Sequence, residues 1–428
     1  MRQPEVSSPP ARPGARASAP AVAPSRRIGL QTFTALRHRD YRLLWIGTLF
    51  SSSGLWIQQV SVGWLTYEVT GSAFLLGAVN GFRSLPLLFL APFGGVAADR
   101  LDCKRLMLST QLFLMTVTAV FATSIAVGYV HVWSIILFTL LTGVGWAFNM
   151  PVRQSLVPSL VPRQDLTNAI ALNSVGRNIT RVLGPALGGL LIAGVGVAGN
   201  FYLQSLAYVG VGAMVWRMCV PPIPRASRKV SVWRNLAEGA GYVWHHPTLR
   251  AQMALALIPV LVALPYSSLM PIFAKDVLNV GPEGFGVLMA APGLGALAGT
   301  LIIASLGNVR RKGLLLFGSL IALGVSLALF SRSSSFVLSL GLLALAGAFQ
   351  MTYMTMNQTL LQLTSTDEFR GRVMGIYMLD QGLMPLGSLL AGALAGFFGA
   401  PSAVLAMGAS VLLLSALAFA SLPAMRKL

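Results

Sequence analysis

The sequence predicts an all-α polytopic membrane protein with twelve transmembrane helices in two six-helix halves. Hydrophobic residues fill 55% of the 428 positions, and the mean hydropathy is +0.72, which is too apolar for a water-soluble domain of this length. Windows of about 19 residues divide the chain into about twelve apolar segments, each long enough to cross roughly 30 Å of hydrocarbon. Backbone groups in lipid need partners within their own segment, so these segments are predicted as helices rather than strands.

The charge distribution predicts the topology. Of the 31 Lys and Arg residues, 26 fall on the side of the membrane that holds both predicted termini, and only Lys275 and Arg332 fall on the other. Arg83, Arg177 and Arg181 lie inside helices. By the positive-inside rule, we expect both termini in the cytoplasm. The net charge of +19 then reflects topology and contact with anionic lipid, and no nucleic-acid partner is expected.

Enzyme and sensor functions are not favoured. Cys103 and Cys219 both fall on the cytoplasmic side, so no disulfide framework is predicted. The four histidines have no metal-ligand spacing, and no metal site is expected. No predicted span offers a histidine, a cysteine pair or two carboxylates, which a membrane-embedded enzyme would need. A sensor normally carries a soluble domain, and both tails are too short or too polar to form one.

The chain divides into four predicted regions. Residues 1–29 are rich in Pro, Ala, Ser and Arg and predict a disordered cytoplasmic tail. Residues 30–220 form the first six-helix half, and residues 250–428 form the second. The linker, 221–249, carries a basic patch at Arg225–Lys229 and then an amphipathic helix, which we expect to lie on the membrane surface. Its apolar positions are Trp233, Leu236, Ala240, Val243 and Trp244.

Helices 1 and 2 each carry polar side chains at membrane depth. Helix 1 (about 43–66) holds Gln58 and Gln59, which either face a polar cavity or form helix–helix hydrogen bonds. Helix 2 (about 73–97) holds Arg83, which either faces the bundle interior or extends toward the nearer membrane surface. Both alternatives stay open for each helix.

Two charged loops are predicted in the first half. The stretch Gly94–Arg105 lies between helix 2 and helix 3 (about 105–128), and its charged cluster either anchors the loop in the cytoplasm or takes part in a switch. Helix 4 is expected at about 131–152. Residues 150–166 are basic and punctuated by prolines, and they predict a second loop.

Helix 5 (about 167–194) is the most polar span. Asn173, Arg177 and Arg181 recur every four residues and form one stripe, which predicts a water-filled cavity. A proline and flanking glycines then supply a bend and a close-packing surface. These residues are Gly184, Pro185, Gly188 and Gly189.

The second half carries one acidic residue well inside a span. Asp380 lies in helix 11, where burial favours the neutral form of a carboxyl group, as a proton carrier requires. The alternative is that Asp380 pairs with a nearby cation or amide. Helices 7 to 12 are expected near 250–275, 284–306, 313–331, 334–356, 370–398 and 401–422. The stretch Asn308–Lys312 after helix 8 repeats the basic residues that follow helix 2 but has no acid, so Asp99 has no counterpart there.

Several stretches resemble a known family. Gly95–Arg100 with Lys104 and Arg105 resembles the signature loop of the major facilitator superfamily. Four further stretches are similar to the branch that contains the enterobactin exporter and macrolide-type efflux pumps: 33–45, 151–173, 181–187 and 369–374. The helix-5 glycines and proline resemble an antiporter motif, although Thr180 stands where its preceding glycine is expected. Helix 1 has no acidic residue in its membrane interior, where several drug–proton antiporters keep one.

The resemblance implies a secondary transporter that exports a small organic molecule, siderophore-like or drug-like, by alternating access. It also implies a place in the cytoplasmic membrane of a bacterium and proton antiport with no cofactor, and we expect a monomer. The proton would be carried by Asp380 or by a periplasmic acid. The alternative is uptake, or uncoupled transport of a small metabolite, in the same fold. The resemblance implies that Asp99, near the cytoplasmic start of helix 11, takes part in gating the transporter. The residues expected to take part in gating are Asp99, Arg100, Arg105, Arg370 and Arg372. The residues expected along the substrate or proton pathway are Gln58, Gln59, Arg83, Asn173, Arg177, Arg181 and Asp380. Their cationic members favour an anionic or hydrogen-bond-rich substrate.

Overall fold

A computed structural model describes residues 33–220, 232–307 and 311–426. The side chains of Ala91, Asp99, Gln381, Pro423, Ala424 and residues 232–236 are not described. The predicted tail at 1–29, the basic patch Arg225–Lys229 and residues 308–310 lie outside the described residues. Within the described ranges the structure is helical, with no strand.

The first half contains six long helices. They are α1 (Arg39–Thr70), α2 (Ala73–Arg100), α3 (Cys103–Ala126), α4 (Val132–Leu160), α5 (166–195) and α6 (197–217). The last two are arms of one helical stretch, Leu166–Arg217, which reverses at Gly196, where φ is 73°. This backbone conformation suits a residue without a Cβ.

The linker and second half contain α7 (Val232–His245), α8 (Pro247–Val277), α9 (Gly281–Leu306), α10 (Lys312–Ser331), α11 (Phe336–Thr364), α12 (Arg370–Phe398) and α13 (Ala400–Ser421). In the described part of the chain, ten stretches are long and apolar enough to cross a membrane. One of them is the α5–α6 stretch, which crosses twice, and α1 is a further 32-residue helix. Twelve crossings result, as the sequence predicts.

Both charged loops predicted in the first half are largely helical. Residues up to Arg100 belong to α2, and only Leu101 and Asp102 connect it to α3. Asp102 caps α3, because its Oδ1 accepts the Arg105 amide N–H at 3.0 Å. Helix α4 continues to Leu160 through Pro151 and Pro158. The prediction of a loop at 150–166 was wrong because Val152, Leu156 and Leu160 form a buried helical stripe that outweighs the two prolines.

Two helices of the second half are irregular where the sequence predicts regular spans. Helix α8 contains π-helical turns at Pro259–Ala263 and Phe273–Val277 and a 3₁₀ segment at Leu264–Leu269. Prolines at 259, 265 and 271 each remove a backbone donor from this helix. Helix α12 contains a 3₁₀ turn at Asp380–Leu383, just before Pro385. Irregular turns of this kind commonly occur at functional sites.

The two halves meet through α2 against α12 and α5 against α9. We call the end of the bundle where α1 begins the termini face, and the end where α1 stops the far face. Near the far face, a Cβ at Gly77 would overlap the carbonyl oxygen of Ser388, and a Cβ at Gly286 would lie 2.6 Å from the carbonyl oxygen of Pro185. Backbones approach this closely only where side chains are absent, so the halves are closed together at the far face.

The amphipathic helix predicted in the linker is present as α7, and it packs on the start of α12. The Arg372 guanidinium lies 3.3 Å from the Glu238 carboxylate, and the Tyr242 and Phe369 rings stack with centroids 4.3 Å apart. Trp244 stays 69% exposed, as expected for a helix at a membrane surface. Helix α8 begins at Pro247, three residues before the predicted start of the second half at residue 250.

Candidate functional site

A cavity lies between the two halves. From the first half it is lined by Trp56 and Gln59 of α1 and by Arg181 of α5. The second half contributes the rest of the wall through α8, α9 and α11: Leu264, Tyr266, Ser267, Met270, Leu288, Met289, Pro292, Gly293 and Gln350. The lining therefore combines apolar side chains with polar ones, a mixture that can hold the carbon skeleton of a small molecule and orient its polar groups.

The first-half wall is cationic. The Arg83 Nη1 of α2 donates to Oε1 of Gln59 at 3.3 Å, so Arg83 faces the bundle interior beside a cavity-lining side chain. Arg181 lines the cavity itself. Neither guanidinium group pairs with a carboxylate of a described residue. The ion pairs that the described residues form involve other side chains: His38–Asp165, Arg370–Asp367 and Arg372–Glu238. Two positive charges at membrane depth therefore lack a neutralising partner in the described structure.

The two adjacent glutamines of α1 have different surroundings. Gln59 faces the cavity and Arg83. Gln58 is only 2% exposed and lies inside the first half. Its Nε2 donates to Thr142 Oγ1 at 3.0 Å, and its Oε1 accepts from Gln204 Nε2 at 3.0 Å. Gln58 thus makes helix–helix hydrogen bonds, which was one of the two alternatives. Gln59 faces the cavity, which was the other, and also accepts the hydrogen bond from Arg83 of α2.

The polar stripe of α5 does not stay on one surface. Four residues of an α-helix turn about 40° beyond one full circle. Side chains eight residues apart, such as Asn173 and Arg181, therefore point in different directions. Arg181 reaches the cavity, whereas Arg177 is exposed and its Nη2 donates to Ser174 Oγ at 3.1 Å. Asn173 is partly exposed, one turn before Arg177 toward the termini face. The structure thus places only Arg181 of this stripe at the cavity.

The helix-5 motif contacts both halves. A Cβ at Gly184 would lie 2.6 Å from Trp56, and one at Gly188 would lie 3.2 Å from Ile57, so these glycines pack on α1. Gly189 and the Pro185 carbonyl instead contact Gly286 of α9. The motif therefore joins α5 to its own half on one side and to the other half on the opposite side.

The second-half wall comes from the irregular segments. The 3₁₀ segment of α8 supplies Leu264, Tyr266 and Ser267 to the cavity. Asp380 starts the 3₁₀ turn of α12 and lies in an adjoining pocket with Tyr353 and Tyr377. Within the described residues, Asp380 pairs with no arginine, which was one alternative for its role.

Arg153 of α4 is a buried cation that the sequence analysis did not select. It is 9% exposed and donates to Thr48 Oγ1 at 2.9 Å, Ser51 Oγ at 3.0 Å and Asn149 Oδ1 at 3.4 Å. The flanking prolines suggested a loop, which would have left Arg153 in water. The four-residue spacing of Val152, Leu156 and Leu160 was the signal that could have identified the helix.

The predicted gating residues lie at the termini face. Arg370 lies 2.6 Å from Asp367, and Arg372 lies 3.3 Å from Glu238, so both have partners in the second half or the linker. Arg100 and Arg105 are exposed. The backbone of Asp99 occupies the last turn of α2, and its side chain is outside the described structure. An interaction of Asp99 with the start of α12 stays a prediction.

Comparison with known proteins identifies related sequences along nearly the whole chain. A family model described as transmembrane secretion effector matches residues 30–427. The staphyloferrin A transporter of Staphylococcus aureus is 27% identical, with 85% of this chain and 92% of the relative covered. Macrolide efflux protein A of Streptococcus pyogenes is 24% identical, with coverage of 83% and 89%. The multidrug efflux pump Tap of Mycolicibacterium fortuitum is 28% identical, with coverage of 90% and 96%.

Solved structures share the fold. The nucleoside transporter NupG superposes with a TM-score of 0.72 at 13% identity, covering 89% of this chain and 98% of that one. A bacterial homolog of the human lysosomal transporter Spinster gives a TM-score of 0.71 at 14% identity, with coverage of 91% and 98%. At these identities the similarity concerns the architecture alone.

Proposed function

The chain belongs to the family of transmembrane secretion effectors, within the major facilitator superfamily, and from this premise we propose that it exports a small organic anion by alternating access. The proposal makes it a transporter and not an enzyme. It places both termini in the cytoplasm of a bacterial cell, on the basis of the lysine and arginine distribution.

The observation that carries the proposal is the cationic wall of the central cavity. Arg181 lines the cavity and Arg83 hydrogen-bonds the cavity-lining Gln59, and neither has a carboxylate partner among the described residues. An unneutralised charge in a low-dielectric site is costly, and an anionic ligand removes much of that cost. Hydrophobic and methionine side chains on the opposite wall, including Met270 and Met289, suit the carbon skeleton of such a ligand.

The class of cargo is supported by the related transporters. One takes its name from the siderophore staphyloferrin A, and others from macrolide or multidrug efflux. The cationic wall favours the siderophore-like alternative over a cationic drug. The direction, export, is supported by the efflux activity in the names of the macrolide and multidrug relatives.

Protons supply the driving force in this proposal, through antiport. A carboxyl group at membrane depth, Asp380, lies in a pocket that adjoins the cavity. Uptake of a metabolite, or uncoupled transport, is the rival in the same fold. The rival differs in its response to gradients, because an uncoupled transporter equilibrates its substrate and never concentrates it.

Reconstitution into proteoliposomes with an imposed pH gradient tests the proposal. We expect gradient-dependent accumulation of staphyloferrin A to exceed that of erythromycin, a cationic macrolide. Arg181→Gln should lower the apparent affinity by about tenfold or more, the effect of removing one charged hydrogen-bond donor. Arg163→Gln removes an exposed cation just before α5 and serves as the control. Transport that needs no gradient, or that is unchanged in Arg83→Gln and Arg181→Gln, contradicts the proposal.

A further inference from the structure

A second pocket lies wholly within the second half. Its polar members are Gln350 and Tyr353 of α11 and Tyr377 and Asp380 of α12; the others are Ala256, Pro259, Val260, Leu264 and Met354. The cavity is about 10 Å³, room for about one water-sized species and too little for a cargo molecule. Gln350 and Leu264 also line the central cavity, so the two spaces share a wall.

Two polar atoms of this pocket have no hydrogen-bond partner in the part of the chain that the structure describes. Asp380 Oδ2 and the Tyr353 hydroxyl are buried and form no hydrogen bond with any described residue. Tyr353 is only 1% exposed, so bulk water does not satisfy its hydroxyl. Leaving such groups unpaired is unfavourable, because each loses its hydrogen bonds to water and gains none in the protein. Unpaired buried groups that line one small pocket indicate a ligand of matching size.

The charge of the pocket defines that ligand. Helix α8 contributes only apolar side chains next to Asp380, and α2 meets the turn through Leu88 against Gly382. The other titratable groups that line the pocket are Tyr353 and Tyr377, and a tyrosine hydroxyl is neutral at ordinary pH. The Asp380 carboxylate has no cationic side chain beside it in the pocket, so a ligand with a single positive charge would neutralise it. A divalent metal ion would require more oxygen ligands and more negative charge than this pocket supplies.

We propose that this pocket is the coupling-proton site of the transporter, with Asp380 as the carrier and Tyr353 as a positioning residue, whose free hydroxyl hydrogen-bonds the carboxyl group when the proton is loaded. The assignment rests on the proposed export function and adds a division of labour: the first half holds the anionic cargo, and the second half holds the proton. Loading Asp380 transfers one proton to Oδ2 and neutralises the carboxylate, and releasing the proton restores the charge. Asp380 begins the 3₁₀ turn of α12, so its charge changes at a break in the helix.

Infrared difference spectroscopy between alkaline and acidic buffer tests the site without any cargo. Wild-type protein should gain carbonyl bands of protonated carboxyl groups, and Asp380→Asn should lose the component that Asp380 contributes, whereas the bands of the other acidic residues persist. Tyr353→Phe should keep the band but shift its frequency and midpoint, because the loaded carboxyl group then lacks the hydroxyl that is proposed to hydrogen-bond it. Tyr266→Phe, a buried tyrosine of the other cavity, should leave the band unchanged. If Asp380→Asn does not fold, Asp380→Glu should retain the band at a shifted frequency.

Transport measurements separate this assignment from the export function. Asp380→Asn should exchange staphyloferrin A across the vesicle without a gradient, whereas accumulation driven by a pH gradient should fall by at least about fivefold, the lower end of coupling between two sites. An unchanged infrared band, or full gradient-driven accumulation in Asp380→Asn, overturns the proton site and leaves export intact. Accumulation that depends on sodium rather than on pH also overturns it. Absence of any staphyloferrin A flux in wild-type protein contradicts the export proposal instead.

Discussion

The backbones of Gly189 in α5 and Gly286 in α9 pack against each other across the two halves. A Cβ at Gly189 would lie 2.9 Å from the Gly286 Cα, and a Cβ at Gly286 would lie 2.9 Å from the Gly189 Cα. Neither residue tolerates a side chain while the far face is closed. Alternating access requires these helices to part when the far face opens, so this contact belongs to one conformation and not to the other.

Gly189→Leu should therefore trap the transporter with its far face open. A leucine side chain cannot fit beside Gly286, whereas the separated helices accommodate it. We expect transport to fall by about tenfold or more, while folding and expression persist. One measurement is uptake into proteoliposomes. The other is the labelling rate of a cysteine placed at Ala73, which lines a groove at the far face, in a Cys103→Ser, Cys219→Ser background.

Gly194→Leu is the matched control for this prediction. Gly194 lies on the same helix, and a Cβ there meets nothing within 4 Å. Its substitution should leave transport and labelling near wild-type values. Faster labelling in Gly194→Leu, or unchanged labelling in Gly189→Leu, would mean that close packing at this contact does not control the far face.

A hydrogen bond between halves also closes the far face. The Tyr67 hydroxyl, near the end of α1, donates to the Asp276 carboxylate near the end of α8, and the Lys275 ammonium lies 5.7 Å from the centre of the Tyr67 ring. Both charged residues are exposed, so solvent screening limits the stabilisation. This contact should bias the equilibrium rather than lock it.

Tyr67→Phe should shift the equilibrium modestly toward an open far face. Loss of one solvent-exposed hydrogen bond is worth about 0.5–1.5 kcal/mol, a change of about two- to twelvefold in the population. Labelling at Ala73→Cys should accelerate by that factor. Tyr129→Phe removes an exposed hydroxyl from the loop after α3, which the described contacts do not connect to the second half. Equal acceleration in both variants would show that the Tyr67 hydroxyl does not hold the halves together.

The start of α1 is tied to α5 by hydrogen bonds from aromatic side chains. The Tyr41 hydroxyl donates to the Ala169 carbonyl at 2.8 Å, and Trp45 Nε1 donates to the Leu172 carbonyl at 3.0 Å. Both aromatic residues lie in stretches on which the family resemblance rests. These residues thus have a structural explanation: they fix the first helix against the fifth.

Tyr41→Phe should lower stability without a selective loss of transport. The side chain is fully buried, so the variant loses one hydrogen bond and keeps its packing, at a cost of about 0.5–1.5 kcal/mol. Unfolding in detergent micelles should report this change. Tyr202→Phe removes a hydroxyl that pairs with Thr123 in an exposed position and should cost less. A Tyr41→Phe protein of unchanged stability but reduced transport would contradict this assignment.

The sequence was sufficient for the number of spans, because hydropathy and length determine where helices cross. It was insufficient for side-chain surroundings. Gln58 and Gln59 are neighbours in sequence, yet one lies in the interior of the first half and the other at the cavity. Adjacent residues of a helix point about 100° apart, so the two side chains leave α1 in different directions. Only the packing of α1 against α2, α4 and α6 determines which of the two side chains faces the cavity.

The prolines of α4 and α8 have opposite effects on helix structure. Pro151 and Pro158 predicted a loop, but the buried stripe of α4 keeps the helix. The prolines of α8 lie at intervals of six residues and were not singled out, although they produce the irregular segment that supplies Tyr266 and Ser267 to the cavity. A missing backbone donor can be tolerated or can reshape a helix, and the neighbouring helices determine the outcome.

Arg153 provides a prediction that separates structural from transport roles among the buried cations. Its guanidinium donates to Thr48 and Ser51 of α1 and to Asn149 of its own helix, so it joins α4 to α1 inside the first half. It has no place in the lining of the central cavity. The planar fork of arginine makes these bonds together, and a lysine ammonium at the same site cannot reach all three acceptors.

Arg153→Lys should therefore destabilise the first half and affect transport only in proportion. Hydrogen bonds to a charged donor contribute about 1.5–3 kcal/mol in water-soluble proteins, whereas interhelical hydrogen bonds in membranes average about 0.6 kcal/mol. Because two interhelical bonds are weakened, we expect a loss of about 1–2 kcal/mol in unfolding free energy in micelles. Arg163→Lys, an exposed arginine before α5, should change little. Loss of transport at full stability in Arg153→Lys would instead place this buried cation in the transport cycle, beside Arg83 and Arg181, and would enlarge the cationic wall inferred for the cargo.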